Sequence, residues 1–550
     1  MSAPGTNPRS RTEILLLIAC CGFFLVYGLG AFGLVGADEP RYAQVAREMM
    51  SRNDWVTPTL NGKPWMEKPP LYYWQAMVSY RAARAMGAGN DGVNDQSARF
   101  PGALDATVMV AAIYFFLRRF RRGSELDGAL ITASCAGVIG FAHAAATDMP
   151  LTATFAIALL AWFAFYERQR NFDLAIFYVF VGLGMLAKGP VAPVLAAVII
   201  LLFALVKRDW GVVFQTLWMP GIALFVLVAL PWYIAVQMRN PDFFRVFILE
   251  HNLARFSTNV YHHPQPFWFY LPVFLLALMP WALWLIAAGV ERVWQIRREG
   301  RGAFVSAEDS SWALFLLIWM VVPLVFFSFS QSKLPGYILP AVPAAALLVT
   351  EYLAARRELA TSEREGRISL LMAALHGILC GLLVFAALCA ASIALTHHLR
   401  LGKGTYVAAA VAAVFAFCIA AALVTRAGPR LLRPVTMIAV VVSVAAVIRL
   451  AAPVIDATQS SRPIAEIIQD FSRDPVPVAL YHVGRTRQYG LDFYLNRPTE
   501  TYENGGIPAG AHVVVAAQGT QAQVAELVPG RRVSYLTNIP AQKLELYWVK

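Results

Sequence analysis

Cysteine is scarce and confined in this chain. The six residues Cys20, Cys21, Cys135, Cys380, Cys389 and Cys418 all fall inside apolar runs. None stands in a polar stretch, which excludes a disulfide framework and a cysteine-based metal motif; small buried hydrophobes account for all six. Charge is sparse too. Asp, Glu, Lys and Arg make up 15% of the 550 residues, against roughly 25% in a soluble domain. There is no phosphate-cradling glycine loop, no zinc-ligand spacing, no nucleotide-sugar fingerprint and no internal repeat. The formal net charge of +12 does not imply nucleic acid, because the Lys and Arg residues flank apolar runs, where they face anionic lipid.

What the chain has is hydrophobic length. Its residues are 58% hydrophobic, with a mean hydropathy of +0.54. A spanning helix needs about 20 mainly apolar residues, and lipid admits only helices or closed barrels. The runs are continuous and rich in Leu, Ala and Val, without the alternation of barrel strands, so they are expected to be helices. Thirteen spans are predicted: 14–35, 98–117, 128–146, 149–167, 173–187, 190–206, 212–236, 267–289, 312–330, 335–354, 370–396, 404–425 and 434–452. The first is too long for a typical signal-peptide core and is read as a retained span. Segment 72–87, broken by Arg81 and Arg84, reads as interfacial.

Charge sets the orientation. With Arg9 and Arg11 cytoplasmic, alternate loops hold Arg118, Arg119, Arg121 and Arg122, then Arg168 and Arg170, then Lys207 and Arg208. The later loops on that side, around Arg292–Arg301, Arg356–Arg367 and Arg426–Arg433, are equally basic, which is the positive-inside pattern. Loops 36–97 and 237–266 then face outward. Residues 454–550 lose the long apolar runs and read as a small soluble α/β domain on the outer side. Strands are expected over Val476–Val483, His512–Ala516, Val533–Thr537 and Leu544–Val549, with helices over Ile464–Phe471 and Gln521–Leu527. The expected fold is thus an all-α polytopic membrane protein, residues 1–453, carrying a C-terminal α/β domain.

The polar clusters fall in the outer loops. Asp38-Glu39-Pro40-Arg41-Tyr42-Ala43 follows the first span, and its spacing sets Asp38, Arg41 and Tyr42 on one helix face. A helix cap by Asp38 with Arg41 paired to it is the plain alternative. Val45, Ala46, Met49 and Met50 continue an apolar stripe suited to the membrane interface. In Glu67-Lys68-Pro69-Pro70-Leu71-Tyr72-Tyr73 the prolines hold the segment extended, and a fixed lysine suits a phosphate. Arg41, Lys68, Lys188, Arg255 and Lys333 are basic on the side that disfavours basic residues, and convergence on one phosphate gives them a reason to be there. Glu67, His251 and His262 are types that could ligate Zn²⁺, although their spacing matches no zinc motif and hydrogen-bonding histidines explain them as well. Asp148 stands at a membrane boundary, a candidate site position, and equally a candidate cap for the helix that follows. Lys333-Leu334-Pro335-Gly336-Tyr337 turns one span into the next and could offer an anion Lys333 and backbone N–H groups.

Together, Asp38–Ala43, Lys68–Tyr73, Glu250-His251-Asn252-Leu253-Ala254-Arg255-Phe256 and Ser332–Pro340 resemble the bacterial aminoarabinose transferases of lipid A. These are GT-C glycosyltransferases, a superfamily that includes the protein O-mannosyltransferases. The resemblance runs along the whole membrane region. It implies a 4-amino-4-deoxy-L-arabinose donor on undecaprenyl phosphate, a lipid A phosphate as acceptor, and a site on the periplasmic side of the inner membrane. By the same resemblance Asp38, Arg41 and Lys68 are the catalytic candidates. Tyr42, Tyr72, Arg255, Lys333 and Tyr337 are donor phosphate or lipid contacts, with Asp148 and Lys188 as further candidates. No cofactor is required, and a divalent metal at Glu67, His251 and His262 is the alternative.

Two rival readings follow. Another polyprenyl-phosphate-sugar transferase, such as a protein O-mannosyltransferase, shares these motifs. A lipid-linked substrate transporter or flippase would place its charges nearer the bilayer midplane and show repeat-related broken helices, features this sequence lacks.

Overall fold

The computed structural model describes residues 8–247, 265–299, 308–361, 368–396, 402–471 and 474–550. Helix α1 (Pro8–Cys21) runs into a π-turn at Gly22–Val26. The chain then leaves the bundle through α2 (Asp38–Ser51), a two-stranded hairpin of β1 (Thr59–Leu60) and β2 (Lys63–Pro64), and α3 (Leu71–Ala85). It returns through α4 (Asp95–Phe120), α5 (Glu125–Ala133), α6 (Ala136–Ala142), α7 (Asp148–Arg168), α8 (Asn171–Lys188), α9 (Val191–Lys207), α10 (Gly211–Thr216) and α11 (Met219–Arg239). Further apolar helices include Leu370–Thr396, Lys403–Val424 and Gly428–Ala446.

The protein is a multi-pass membrane protein. Among the described residues nine helices are long and apolar enough to cross a bilayer, or eleven if each of two bent pairs is one crossing. Those pairs are α5 with α6, bent by 62°, and Phe267–Ala277 with Ala282–Gln295, bent by 114°. Thirteen crossings were expected. The two expected positions outside this count hold α9, only 17 residues long, and α1 with its π-turn. Segment 72–87 is the 15-residue α3, too short to cross alone, as an interfacial reading requires.

Helix α7 is the central post, with 89% of its apolar window buried. Trp162 and Phe163 on α7 stack against Phe315, and Trp162 meets Phe203 edge-on, so large aromatic rings fill the bundle core. The basic ends on one side of the bundle are braced by acids. Arg121 pairs with Glu167, Arg168 with Asp173, and Asp127 takes both Arg357 and Arg433.

On the other side stands a five-stranded mixed sheet, order β4-β3-β5-β7-β6. It comprises β3 (Val478–Tyr481), β4 (Glu500–Thr501), β5 (His512–Ala517), β6 (Val533–Ile539) and β7 (Leu544–Val549). Strand β3 runs parallel to β4 and β5, with Val478 opposite Val513, and β7 is antiparallel to both β5 and β6. All four predicted strands are found, along with helices Arg462–Phe471 and Gln521–Leu527. Helix Arg485–Leu495 was not anticipated, because Gly490 and its mixed polarity blur the helical period.

That helix docks this domain on the first loop. Arg47 of α2 donates to the Phe493 carbonyl at 2.6 Å and lies over the Phe493 ring at 4.6 Å. Asn61 donates to Asp492 at 3.0 Å, and Tyr494 to Asp95 at 2.5 Å. Helix α2 is therefore buried between α3 and Arg485–Leu495, with Val45, Ala46 and Met49 fully covered. The predicted apolar stripe is present, but protein covers it.

Candidate active site

The Asp38–Ala43 motif opens α2, and its two acids part ways. Asp38 is the first helical residue and caps nothing; the N-cap is Ala37, without a side-chain bond. The Asp38 carboxylate instead accepts from Arg41 Nη2 at 2.5 Å, as the i, i+3 spacing allows. Glu67, carried next to β2 by the hairpin, lies 3.4 Å from the same Arg41 nitrogen. Three rings surround the guanidinium: Trp65, Tyr42 and Tyr489, with centroids at 5.1, 5.3 and 5.5 Å. Tyr489 comes from the C-terminal domain, which thus forms one wall of the site.

Burial disfavours the Arg41 cation, but Tyr42, Glu67 and Asp38 outweigh it and hold the pKa above the usual arginine value. Burial pushes the Tyr42 and Tyr73 hydroxyls well above the ordinary tyrosine range, so both stay protonated donors. Arg41 Nε, Trp65 Nε1 and the Tyr73 hydroxyl are buried without a hydrogen-bond partner among the described residues. Leaving a buried donor unmet costs about 1–3 kcal/mol. One such donor on the guanidinium and two beside it make a setting that an anionic oxygen ligand would satisfy.

Glu39 turns inward. It binds Arg99 through both oxygens, at 2.7 and 3.2 Å, and accepts from the backbone N–H groups of Val35 and Ala145, each at 2.8 Å. Arg99 completes its five N–H bonds on the carbonyls of Leu29, Phe32 and Gly33 and is fully buried. The Glu39–Ala145 bond ties the start of α2 to the corner before α7.

Three residues beyond that corner a second cluster forms. Asp148, the first residue of α7, has no capping role and accepts from Lys188 Nζ at 2.5 Å. Lys188 Nζ also lies 4.6 Å from the centre of the Tyr337 ring. Gly336 is needed there, because a Cβ would sit 2.5 Å from the Asp148 carboxylate. Asp148, Lys188 and Tyr337 thus come together, next to the Asp38–Arg41 cluster in the chain of contacts through Glu39.

Not every predicted contact is drawn in. Tyr72 is fully buried and donates to the Ala98 carbonyl at 2.8 Å, a packing role. The Tyr72 and Tyr73 rings both lie 6.3 Å from that of Tyr42, and it is the Tyr73 hydroxyl that is left unmet. Lys333 is buried, and its ammonium donates to the Ser330 carbonyl at 2.6 Å and the Gln265 carbonyl at 3.1 Å, which holds the turn together. Of the expected cations, Lys188 is therefore paired with Asp148 and Lys333 with main-chain carbonyls. Lys68 follows Glu67 in a bend of the chain, where an extended segment was expected, and is half-buried. Arg255, His251 and His262 lie outside the described residues. Of the metal candidates only Glu67 is described, and it faces Arg41; no group of three or more His, Cys, Asp or Glu residues suited to a metal occurs among the described residues.

Sequence reasoning missed Arg99, Tyr73, Trp65 and Tyr489. A basic residue at the outer end of a span was a usable signal for Arg99. Nothing local marks Tyr489, which reaches the site only through domain docking.

The crystal structure of ArnT from Cupriavidus metallidurans bound to undecaprenyl phosphate superposes over 98% of both chains, with a TM-score of 0.75 at 21% identity. The chain has the ArnT fold. Residues 67–234, which begin at Glu67 and run through α3 and Lys188, match the family described as dolichyl-phosphate-mannose-protein mannosyltransferase. Two curated relatives are each 32% identical. One is undecaprenyl phosphate-alpha-4-amino-4-deoxy-L-arabinose arabinosyl transferase 1 of Pseudomonas fluorescens (strain Pf0-1), over 353 residues, 63% of this chain and 58% of that protein. The other is the corresponding transferase of Pseudomonas aeruginosa (strain UCBPP-PA14), over 362 residues, 64% of this chain and 62% of that protein. The chain thus spans about three-fifths of the length of these ArnT-like relatives.

Proposed function

We propose that this chain is a glycosyltransferase that moves 4-amino-4-deoxy-L-arabinose from undecaprenyl phosphate to a phosphate of lipid A. The reaction is placed on the periplasmic face of the inner membrane, with the N-terminus cytoplasmic and the sheet domain outside, following the basic loops opposite. The carrying observation is the Arg41 cradle, where a guanidinium held by Asp38 and Glu67 keeps an unmet Nε beside the unmet donors of Trp65 and Tyr73. Similarity to the arabinosyl transferases supports the choice of sugar and carrier.

In the proposed transfer the bond between the sugar's anomeric carbon and the undecaprenyl phosphate oxygen breaks, and an acceptor phosphate oxygen takes its place. The leaving group is a phosphate whose negative charge grows as the bond breaks. Fixed cations at such a position are a large catalytic term, and Arg41 with Lys68 supplies them. A hydroxyl acceptor would need a general base, whereas a lipid A phosphate is already anionic. Asp38 therefore serves to hold Arg41 and to orient the sugar's amino group or the acceptor. Asp148, Lys188 and Tyr337 form a second contact for a lipid phosphate. Tyr42 and Tyr73 present protonated hydroxyls to the donor. The cations suffice for this chemistry without a cofactor; a divalent ion at Glu67, His251 and His262 is the other route, and loss of turnover on chelation would establish it.

The test is the lipid A of cells that lack their own enzyme, compared by mass spectrometry for wild type and Lys68→Ala. An added aminoarabinose mass in wild type alone is the expected result. No added mass, with good expression and donor supply, would overturn the reading. The match to the mannosyltransferase family favours one second reading, another polyprenyl-phosphate-sugar transferase, which a hydroxyl-bearing peptide acceptor would reveal.

A further inference from the structure

A second cationic feature lies at the far end of α2, and the site above does not use it. The turn after α2 and the end of α11 enclose a cavity of about 450 Å³, lined by Arg52, Asn53, Asp54, Trp55, Val56 and Arg239. Arg81 of α3 reaches the same turn, donating to Asn53 at 2.8 Å and covering the Trp55 ring at 5.0 Å. Two arginines thus pair with one acid, and a third, Arg81, stands beside the same turn. That acid is already well supplied: Asp54 accepts from the backbone N–H groups of Val56 and Thr57 and pairs with Arg239 at 3.0 Å and Arg52 at 3.5 Å. The turn therefore carries surplus positive charge, with Arg52 and Arg239 about half exposed.

The cavity is at the membrane surface. It sits where the apolar α11 ends, and Trp232 and Asn240 pin that end to the Val56 carbonyl and the Thr57 hydroxyl, at 3.0 and 3.1 Å. Trp74 donates to the Trp55 carbonyl at 2.8 Å, so indoles ring the turn at the level where a bilayer places them. Arginine is disfavoured in the outer segments of a multi-pass protein, and a lipid phosphate is the anion that a surface at this depth meets.

Geometry links this cavity to the Arg41 cradle. Arg41 and Arg52 are eleven residues apart on α2, about three turns, so their side chains leave nearly the same face. At about 1.5 Å per residue they are roughly 16 Å apart along the axis. That is a separation two linked hexose rings with a phosphate at each end can bridge. We propose that the cavity lined by Arg52 and Arg239, with Arg81 against its Asn53 and Trp55 wall, binds the second, non-reacting phosphate of a bisphosphorylated glycolipid acceptor while the first reacts near Arg41. The proposal rests on the transferase reading for the identity of the acceptor.

The test measures binding apart from turnover. The full chain in phosphatidylcholine nanodiscs, without donor, is titrated with bisphosphorylated and monophosphorylated lipid A. Wild type is expected to bind the bisphosphorylated form about tenfold more tightly, the worth of one exposed charge-assisted contact. The Arg52→Gln/Arg239→Gln double variant should bind the two lipids alike. Arg81→Gln, which leaves the Asp54 pairs intact, should halve the preference or more and keeps the test open if the double variant does not fold. Equal binding of the two lipids by wild type, or a loss of affinity for both alike in the variants, would overturn the proposal. So would displacement of the acceptor by phosphatidic acid at equal concentration, which would assign the cavity to ordinary phospholipid. If the preference holds but no sugar is transferred, the transferase reading fails and the phosphoglycolipid site stands.

Discussion

Two neighbouring carboxylates in one motif form ion pairs of opposite character. Glu39 and Arg99 are buried, and every guanidinium N–H of Arg99 has an acceptor, three of them main-chain carbonyls. Asp38 and Arg41 are bound just as closely, yet the Asp38 side chain is half exposed and Arg41 keeps an unmet Nε among other unmet donors. A closed pair fixes where α2 starts, ties it to the corner before α7, and leaves nothing for a ligand. An open pair holds a cation in place while keeping donors available. The difference separates what maintains the fold from what can bind a substrate.

That contrast can be broken most severely at Arg99. Arg99→Ala leaves Glu39 buried and uncompensated and frees three carbonyls, a cost of about 3–5 kcal/mol. Thermal unfolding of the purified full chain should show a large drop or no folded protein. A variant of wild-type stability would erase the distinction drawn here. Arg41→Ala should reverse the pattern: stability within about 1 kcal/mol, since Asp38 can turn to water, and transfer reduced about 10²–10³-fold. Equal losses of stability and transfer would make Arg41 structural too.

A smaller effect is expected at Tyr489, the ring the C-terminal domain lays against Arg41. Tyr489→Ala should lower kcat about 3–30-fold, the range of a partly desolvated cation–π contact, while Tyr489→Phe keeps the ring and the rate. Failure of Phe to rescue would mean the hydroxyl, not the face, matters. The smallest change should follow Asp38→Asn, which keeps a hydrogen bond to Arg41 and removes only a base that an anionic acceptor does not need. Most of the activity should survive in a transfer assay. A loss of about 10²–10⁴-fold, the worth of general base catalysis, would overturn that expectation, through loss of either a base or the charge that holds Arg41.

Composition and the 2-versus-3.6 period made the membrane class and four strands of the C-terminal domain readable in advance. Spacing along one helix gave the Asp38–Arg41 pair, because i, i+3 neighbours on a helix face meet whatever surrounds them. Less regular elements escaped. Helix Arg485–Leu495 has no clean apolar stripe, and the crossings short of thirteen are bent or brief helices whose apolar runs look continuous as text.

The sequence by itself determined that this chain is a helical membrane protein with a small C-terminal α/β domain. It also placed the polar chemistry in the first loop and in the turns at Asp148, Lys188 and Tyr337. Hydrophobic length, local charge and helix spacing are properties of adjacent residues, and these features need nothing more. Only the tertiary structure decided that Glu39 closes on Arg99 while Asp38 stays open, and that the Tyr72 hydroxyl is spent on the Ala98 carbonyl while that of Tyr73 is left unmet. It alone brought Tyr489 over Arg41 and turned Lys333 back on its own loop. Each of these outcomes depends on which side chain packing leaves room for, and the Arg99 and Tyr489 contacts join residues 60 and several hundred positions apart, which no local pattern encodes.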